Sequence, residues 1–244
     1  VAQKTNPRCV GEFGIADECD MVLMGFLAFL DPPKASAAGA VATLEAKGVA
    51  VKVLTGDNDR VAATVCEQIG IDASNVLLGS EIDALDDAEL AKRAEKTHLF
   101  AKLSPLQKAR LVRVMREMLG HTVGFMGDGI NDAPALARAD VGLAIGTGAD
   151  IAKEGADVVL MRSDLMDVAR AIELSRATIR NIKQDLFWAL FYNGIGIPLA
   201  AGVFFPLTGW QLSPMFGAAA MSLSSVCVVS NALRLKSFKP KVAK

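Results

Sequence analysis

Apolar residues in the first two thirds of the chain gather into short runs that do not alternate with polar ones. Between these runs they recur with helical spacing. Residues 22–30 (VLMGFLAFL), 49–54 (VAVKVL), 99–101, 121–126, 140–145 and 157–161 read as strands, and residues 33–47, 59–69 and 105–118 as helices. Strands apolar on both faces and interleaved with helices predict an α/β domain with a doubly wound parallel sheet. Ligands of such sheets sit outside the carboxyl ends of the strands. Chemistry is therefore expected in the loops after Leu30, Leu54, Ala101 and Met126.

After Ser163 the pattern becomes helical, with apolar Leu165, Val168, Ala169, Ile172, Ile179 and Ile182, and it carries Arg170, Arg176, Arg180 and Lys183. No charged residue then occurs between Asp185 and Arg234. That stretch is long enough for two crossings of a bilayer at about 20 apolar residues each. The crossings are expected at residues 186–205 and 215–233, joined by a turn at 206–214 that contains Pro and Gly. Arg234, Lys236, Lys239, Lys241 and Lys244 follow the second. Basic residues flank the outer ends and none lies in the turn, so a multi-pass membrane protein with both termini and the soluble domain in the cytoplasm is expected.

Charge and cysteine usage narrow the classes. Among 244 residues, Lys+Arg 26 against Asp+Glu 27 leaves a net charge of -1, which gives no electrostatic case for nucleic acid as a partner. Hydrophobic residues at 52% exclude disorder as a description of the whole. Cys9, Cys19, Cys66 and Cys227 show no CxxC spacing, so neither a disulfide framework nor a zinc site is expected. No charged-then-apolar leader opens the chain, so no signal peptide is expected, and Val1 in place of a Met start reads as a fragment.

The predicted loops carry the polar groups. Asp31-Pro32-Pro33 follows the first strand and Thr55-Gly56-Asp57-Asn58 the second; the third leads through Ser104-Pro105 to Lys108; the fourth is followed by Gly127-Asp128-Gly129-Ile130-Asn131-Asp132. Glycines flanking Asp128 allow a sharp turn, and Asp128 and Asp132, one helical turn apart, can face one point. Hard carboxylate oxygens of this kind suit Mg²⁺ that also binds phosphate oxygens, although a capped strand-to-helix turn would use similar residues. Thr55 offers a hydroxyl, beside free N–H groups, at a helix N-terminus, where a phosphate is favoured; Asp57 or Asn58 could instead simply cap that helix. Lys108 in a first helical turn opposes the helix dipole unless an anion is near, but a solvated surface lysine fits the same position.

Taken together, TGDN, the PLQK stretch ending in Lys108, and MGDGINDAPAL followed by ADVGLAIGTGADIAKEGADVVL resemble the phosphorylation domain of P-type cation-transporting ATPases, a branch of the haloacid dehalogenase superfamily. The resemblance implies that Thr55, Gly56, Asp57, Lys108 and Gly127 surround a phosphoryl group. Lys108 would neutralise its oxygens in the transition state, Asp128 would ligate Mg²⁺, and Asn131 and Asp132 would complete the phosphate and metal shell. Asp31 and Asp57 would have positioning roles. The family's nucleophile is the Asp of DKTGT, and no DKTGT occurs in these 244 residues. ATP would therefore act through N-terminal domains outside the chain, which alone is expected neither to form an aspartyl-phosphate nor to hydrolyse ATP. On this reading residues 1–162 are an incomplete phosphorylation domain, 163–185 a connecting helix, 186–233 a membrane hairpin and 234–244 a basic tail.

In the hairpin, Met221 and Ser225 share a helix face, and a thioether is a soft ligand favouring Cu(I), although ordinary membrane packing uses the same residues. The two crossings resemble the last two membrane helices of copper-type heavy-metal ATPases, which implies that Tyr192, Asn193, Met221 and Ser225 contact the transported Cu(I). Cys227 lies off that face and matches no family ligand. Zinc-type members would be expected to carry a charged ligand here, and none is present. The front half, with FLAFLDPPK and the insertion at 75–101, is more similar to magnesium-transporting P-type ATPases, which carry six helices after this domain. Two other classes remain open: a stand-alone phosphohydrolase with Asp31 as nucleophile, and a silent regulatory module docking on a complete pump.

Overall fold

A computed structural model describes residues 1–4, 15, 19–27, 32–146, 148, 150–203, 205–209 and 213–240. The chain divides into two units, Val1–Pro33 and Lys34–Lys244. In the first, β1 (Ala2–Gln3) pairs antiparallel with β2 (Val22–Leu23). The expected strand at 22–30 thus begins as an exposed antiparallel pair, while its end at 28–30 and Asp31 in the loop after it lie outside the described residues.

The second unit carries α1 (Ala37–Ala46), β3 (Val53–Leu54), α2 (Asp59–Ile69), β4 (Val76–Leu78), α3 (Gly79–Ala84), α4 (Asp87–Lys96), β5 (Leu99–Ala101), α5 (Pro105–Glu117), β6 (Gly124–Gly127), α6 (Ala133–Leu136), β7 (Val141–Ile145), α7 (Asp150–Glu154) and β8 (Val158–Leu160). All of its strand pairs are parallel, as expected, but they form two three-stranded sheets rather than one, in the orders β3-β5-β4 and β6-β7-β8. The 75–101 segment, expected as an insertion, supplies β4 and so belongs to the first sheet.

Local chemistry fixes the helix starts. Asn58 accepts from the Arg60 N–H at 3.0 Å, and α2 stops at Gly70, whose φ of 83° is a conformation glycine adopts without penalty. Ser104 and Gln107 form a reciprocal capping box, and Pro105 occupies the first turn of α5. The central strand β5 is fully buried, and Leu77, Ile82, Leu90, Phe100 and Leu111 close a core around it from which water is excluded. Arg110 braces that core's rim by donating to the carbonyls of Ile82 and Leu85 and, with Arg113, to Asp87.

A single helix, α8 (Met166–Ala200), runs through the boundary expected at 185/186, so no joint separates the connecting segment from the apolar one. Its apolar part from Leu186 to Ala200 rises only about 22 Å, short of the ~30 Å hydrocarbon layer. A short helix, α9 (Phe205–Thr208), precedes α10 (Pro214–Leu233), and the helix from Gly217 to Ser237 is long and apolar enough to cross a membrane. Near its start α8 meets α1, where Lys47 pairs with Glu173 at 2.6 Å and Lys34 bonds Ser163.

Candidate functional site

Three of the four predicted loops, those after Leu54, Ala101 and Met126, follow the ends of parallel strands, whereas Asp31 in the first lies outside the described residues. After β3, Thr55 Oγ1 donates to Asp57 Oδ2 at 3.0 Å and accepts the Asp57 N–H at 3.1 Å, which curls the TGD loop on itself. The loop after β5 holds that curl from outside, because the Lys102 N–H donates to the Asp57 carbonyl and the Leu103 N–H to the Thr55 carbonyl, both at 3.0 Å. Lys102 adopts φ 55° to make this connection and pairs with Asp59 at 2.8 Å. The Lys102 ammonium holds the Asp59 carboxyl below its usual range.

The same loop leads into α5 and puts Lys108 one turn in. Its Nζ meets Asp132 Oδ1 at 2.8 Å, with the two side chains 14% and 13% exposed. This answers the electrostatic problem posed by the sequence: the anion beside the lysine is a carboxylate of the fourth loop. Asp132 also receives the Gly129 N–H on Oδ2 at 3.3 Å. It lies so close over Gly127 that a Cβ there would stand 2.5 Å from the Asp132 Cβ, so Gly127 is required by packing. Asp128 and Asn131 are exposed at the turn, with their side chains open to solvent.

Among the described residues the structure therefore joins Thr55 to Asp57 and Lys108 to Asp132, and links the two pairs through the backbone of the Lys102–Leu103 loop, with no direct side-chain bond between them. Gly148 is a member of the site that sequence reasoning missed. A Cβ on it would come 2.6 Å from the Asp128 carbonyl oxygen, so the loop after β7 lies directly on the Asp128 backbone. Its signal in the sequence is the GTG of residues 146–148, where a glycine permits so close an approach of backbone. Only Asp132 lies in the short 3-10 turn Ile130–Asp132, and Asp128 precedes it beyond an extended Gly129; the hard carboxylate oxygens of the two acids are nonetheless of the kind that suits Mg²⁺ together with phosphate oxygens and water.

The hairpin arranges its expected ligands differently. Tyr192 Oη lies 3.9 Å from Cys227 Sγ, in a cavity of about 380 Å³ also lined by Trp188, Ser230, Asn231 and Arg234. Met221 is 73% exposed, Asn193 and Ser225 are exposed, and the Ser225 hydroxyl donates back to the Met221 carbonyl at 3.2 Å. Tyr192 is thus turned toward Cys227, which stands about 120° around α10 from Met221. The four expected ligands do not converge within this pair of helices.

Comparison with known proteins identifies the family and relatives of the chain. Residues 3–140, more than half of the chain, match the family of haloacid dehalogenase-like hydrolases. The chain is 48% identical over 218 residues, 89% of its length, to "Copper-transporting ATPase 2" of Rhizobium meliloti, and 43% identical over 96% of its length to "Probable copper-transporting ATPase PacS" of Synechococcus elongatus. It is 48% identical over 182 residues, 75% of its length, to "Magnesium-transporting ATPase, P-type 1" of Escherichia coli K12. A crystal structure of a zinc-transporting PIB-type ATPase superposes with a TM-score of 0.63 at 33% identity, covering 84% of this chain and 28% of that one. The chain spans 20 to 28% of the length of these curated relatives. It belongs to the haloacid dehalogenase-like hydrolases and is homologous to copper- and magnesium-transporting P-type ATPases.

Proposed function

We propose that the chain is the C-terminal portion of an ATP-driven P-type cation pump, working on a phosphoryl group whose acceptor aspartate lies outside these 244 residues. The observation that carries this is the nearly buried Lys108–Asp132 pair at the ends of parallel strands, beside the open carboxylate of Asp128. An ammonium held there neutralises charge on transferring phosphoryl oxygens without having to reorganise. Thr55 Oγ1 can exchange its bond to Asp57 for one to a phosphoryl oxygen, while Asp57 keeps the loop closed through its backbone N–H. Gly56 and Gly127 let the backbone come close to the phosphoryl group, and Asn131 lies at the mouth. Asp128 and Asp132 would hold Mg²⁺, which when bound supplies Lewis-acid charge to the phosphate. Catalysis of this kind is positioning plus electrostatics. ATP would be presented by N-terminal domains outside the chain.

We further read the transported ion as Cu(I). The PacS-like alignment leaves only 4% of the chain aside and so runs through α8 and α10, whereas the magnesium-type alignment leaves 62 residues out (244 − 182). Soft Met221, with Tyr192, Asn193 and Ser225, would take part in passage once further membrane helices cover their exposed face. Both ends of the hairpin would lie in the cytoplasm. Magnesium is the second reading, favoured by the 48% identity over 182 residues to a magnesium-transporting relative. The test is ion-stimulated ATP turnover in a polypeptide completed with its upstream, DKTGT-bearing part. Cu(I) stimulation that Met221→Ala abolishes is expected; Mg²⁺ transport indifferent to copper would favour the second reading. The chain alone, incubated with [γ-³²P]ATP, should carry no acid-stable, hydroxylamine-labile label.

A further inference from the structure

One side of α5 carries Lys108 and another is strapped to the segment that precedes β5. Gln107 and Arg110 make the strap. The Gln107 amide uses its oxygen and both of its N–H groups: Oε1 accepts the Ser104 N–H at 2.8 Å, while Nε2 donates to the Gly79 carbonyl at 3.0 Å and to Asp83 Oδ2 at 2.7 Å. Turned over, the amide would set its oxygen against two acceptors, so it has one orientation. One turn on, Arg110 donates to the carbonyls of Ile82 and Leu85. Gln107 and Arg110 stand about 60° apart around α5, whereas Lys108 is about 100° from the first and about 160° from the second. Lys108 therefore faces away from the strap.

The contact is close. Gly79 is buried where β4 turns into α3, and a Cβ on it would stand 2.4 Å from the Lys102 carbonyl oxygen and 2.6 Å from Gln107 Oε1. The 75–101 segment thus presses on the first turn of α5 and on the loop that bonds Thr55 and Asp57. Across the helix, Lys108 Nζ meets Asp132 Oδ1 at 2.8 Å with both side chains nearly buried. A lysine is a point charge on a flexible four-carbon stem, so its ammonium keeps one place only if the helical turn beneath it is fixed. A charge fixed in advance stabilises a transferring group better than one that must be brought in.

We propose that Gln107 is a positioning residue for Lys108: by bonding Gly79 and Asp83 it sets the rotation of the first turn of α5 and so aims the ammonium at Asp132. It acts only through Lys108. The inference rests on the reading above that Lys108 neutralises phosphoryl oxygens, and it adds that α3, outside the phosphate loops, holds that lysine in place. Gln107→Glu separates this role from helix capping. A carboxylate still accepts the Ser104 N–H and keeps the capping box, but it faces the Gly79 carbonyl and the Asp83 carboxylate with acceptors in place of donors. Asp83→Asn added to that variant supplies an N–H to the new carboxylate and restores one bond.

The first readout is the reactivity of Lys108 toward limiting acetic anhydride, measured by mass spectrometry against Lys102 in the full chain in lipid nanodiscs. Gln107→Glu should raise it about fivefold, as the loss of a hydrogen-bonded tether implies, and Asp83→Asn in the same chain should bring it back. Unchanged reactivity, or a rise that Asp83→Asn does not reverse, overturns the proposal. Hydrogen exchange of β5 checks the fold, and Gln107→Met, which removes the bonds without adding charge, stands in if Gln107→Glu loses that protection. Loss of β5 protection in both variants makes Gln107 a folding residue and also overturns it. The second readout is phosphoenzyme formation by the completed pump. Gln107→Glu should slow it about 10- to 100-fold at unchanged KM for ATP, and should cost nothing further in a Lys108→Ala pump. A further loss there contradicts action through Lys108. If Lys108 reactivity responds as expected while neither Gln107→Glu nor Lys108→Ala slows phosphoenzyme formation, the positioning stands and the phosphoryl reading fails.

Discussion

The globular part and the helix pair use similar apolar residues in opposite ways. Around β5 the large side chains point inward, and Leu77, Ile82, Leu90, Phe100 and Leu111 are fully buried. In α8 and α10 they point outward: Leu186, Phe187, Ile197 and Met221 are 58%, 58%, 67% and 73% exposed. What lies between the two helices is polar. Asn181 is buried and donates to the Asn231 carbonyl, the Asn231 side chain donates to Asp185, and Tyr192 faces Cys227. The globular part makes its own interior, whereas the helix pair is held by hydrogen bonds and leaves its apolar surface to a bilayer or to further helices.

Chromophores make the contrast measurable, because Trp188, Trp210 and Tyr192, the two tryptophans and the single tyrosine, all follow residue 185. Fluorescence reports the helix pair, and hydrogen exchange in residues 34–160 reports the sheets. The largest effect expected is from Leu111→Ala, which should destabilise the globular part by about 2–5 kcal/mol through an internal cavity while leaving the tryptophan signal unchanged. Loss of both signals together would mean that the two regions fold as one. Lys108→Ala should next cost about 10²–10³ in phosphoenzyme formation by the completed pump, or ~2.7–4 kcal/mol, with Lys108→Arg recovering part of it. A Lys108→Ala pump that forms phosphoenzyme at the normal rate would leave the lysine a structural role only.

Asn231→Ala removes the bonds to Asp185 and Arg234 and should loosen the helix pair by about 0.6–1.7 kcal/mol, seen in tryptophan emission and not in exchange of the sheets. The smallest effect expected is on pH dependence. Hydrogen bonds from Arg110 and then Arg113 hold the Asp87 carboxyl below its usual value. A carboxyl depressed in the fold stabilises it above the unfolded pKa of about 3.9, and that contribution is lost as pH falls through the folded value. The urea midpoint of the sheets should therefore decline below about pH 4, and Asp87→Asn should flatten the decline.

The sequence made the parallel α/β character legible because buried strands must be apolar on both faces, and apolar spacing placed α2 and α5 at residues 59–69 and 105–118; the caps at Asn58, Gly70 and Ser104 show why they start and stop there. It did not reveal the split into two sheets, since strand order depends on pairings that no local pattern encodes. Thr55, Lys108, Asp128 and Asp132 stood out by type and spacing. The Lys108–Asp132 pair and the contact of Gly148 with Asp128 are tertiary and could not be read locally. The direction of Tyr192 was likewise illegible, because helix facing depends on how α8 and α10 rotate against each other. Asp31 falls outside the described residues.

The central claim is that Thr55, Lys108, Asp128 and Asp132 form one Mg²⁺-phosphate site. Calorimetric titration of inorganic phosphate into the full chain in nanodiscs, with and without Mg²⁺, tests it most directly. The account predicts a single Mg²⁺-dependent site that Lys108→Ala and Asp128→Asn each weaken at least tenfold; phosphate binding indifferent to Mg²⁺ and to both substitutions would contradict it.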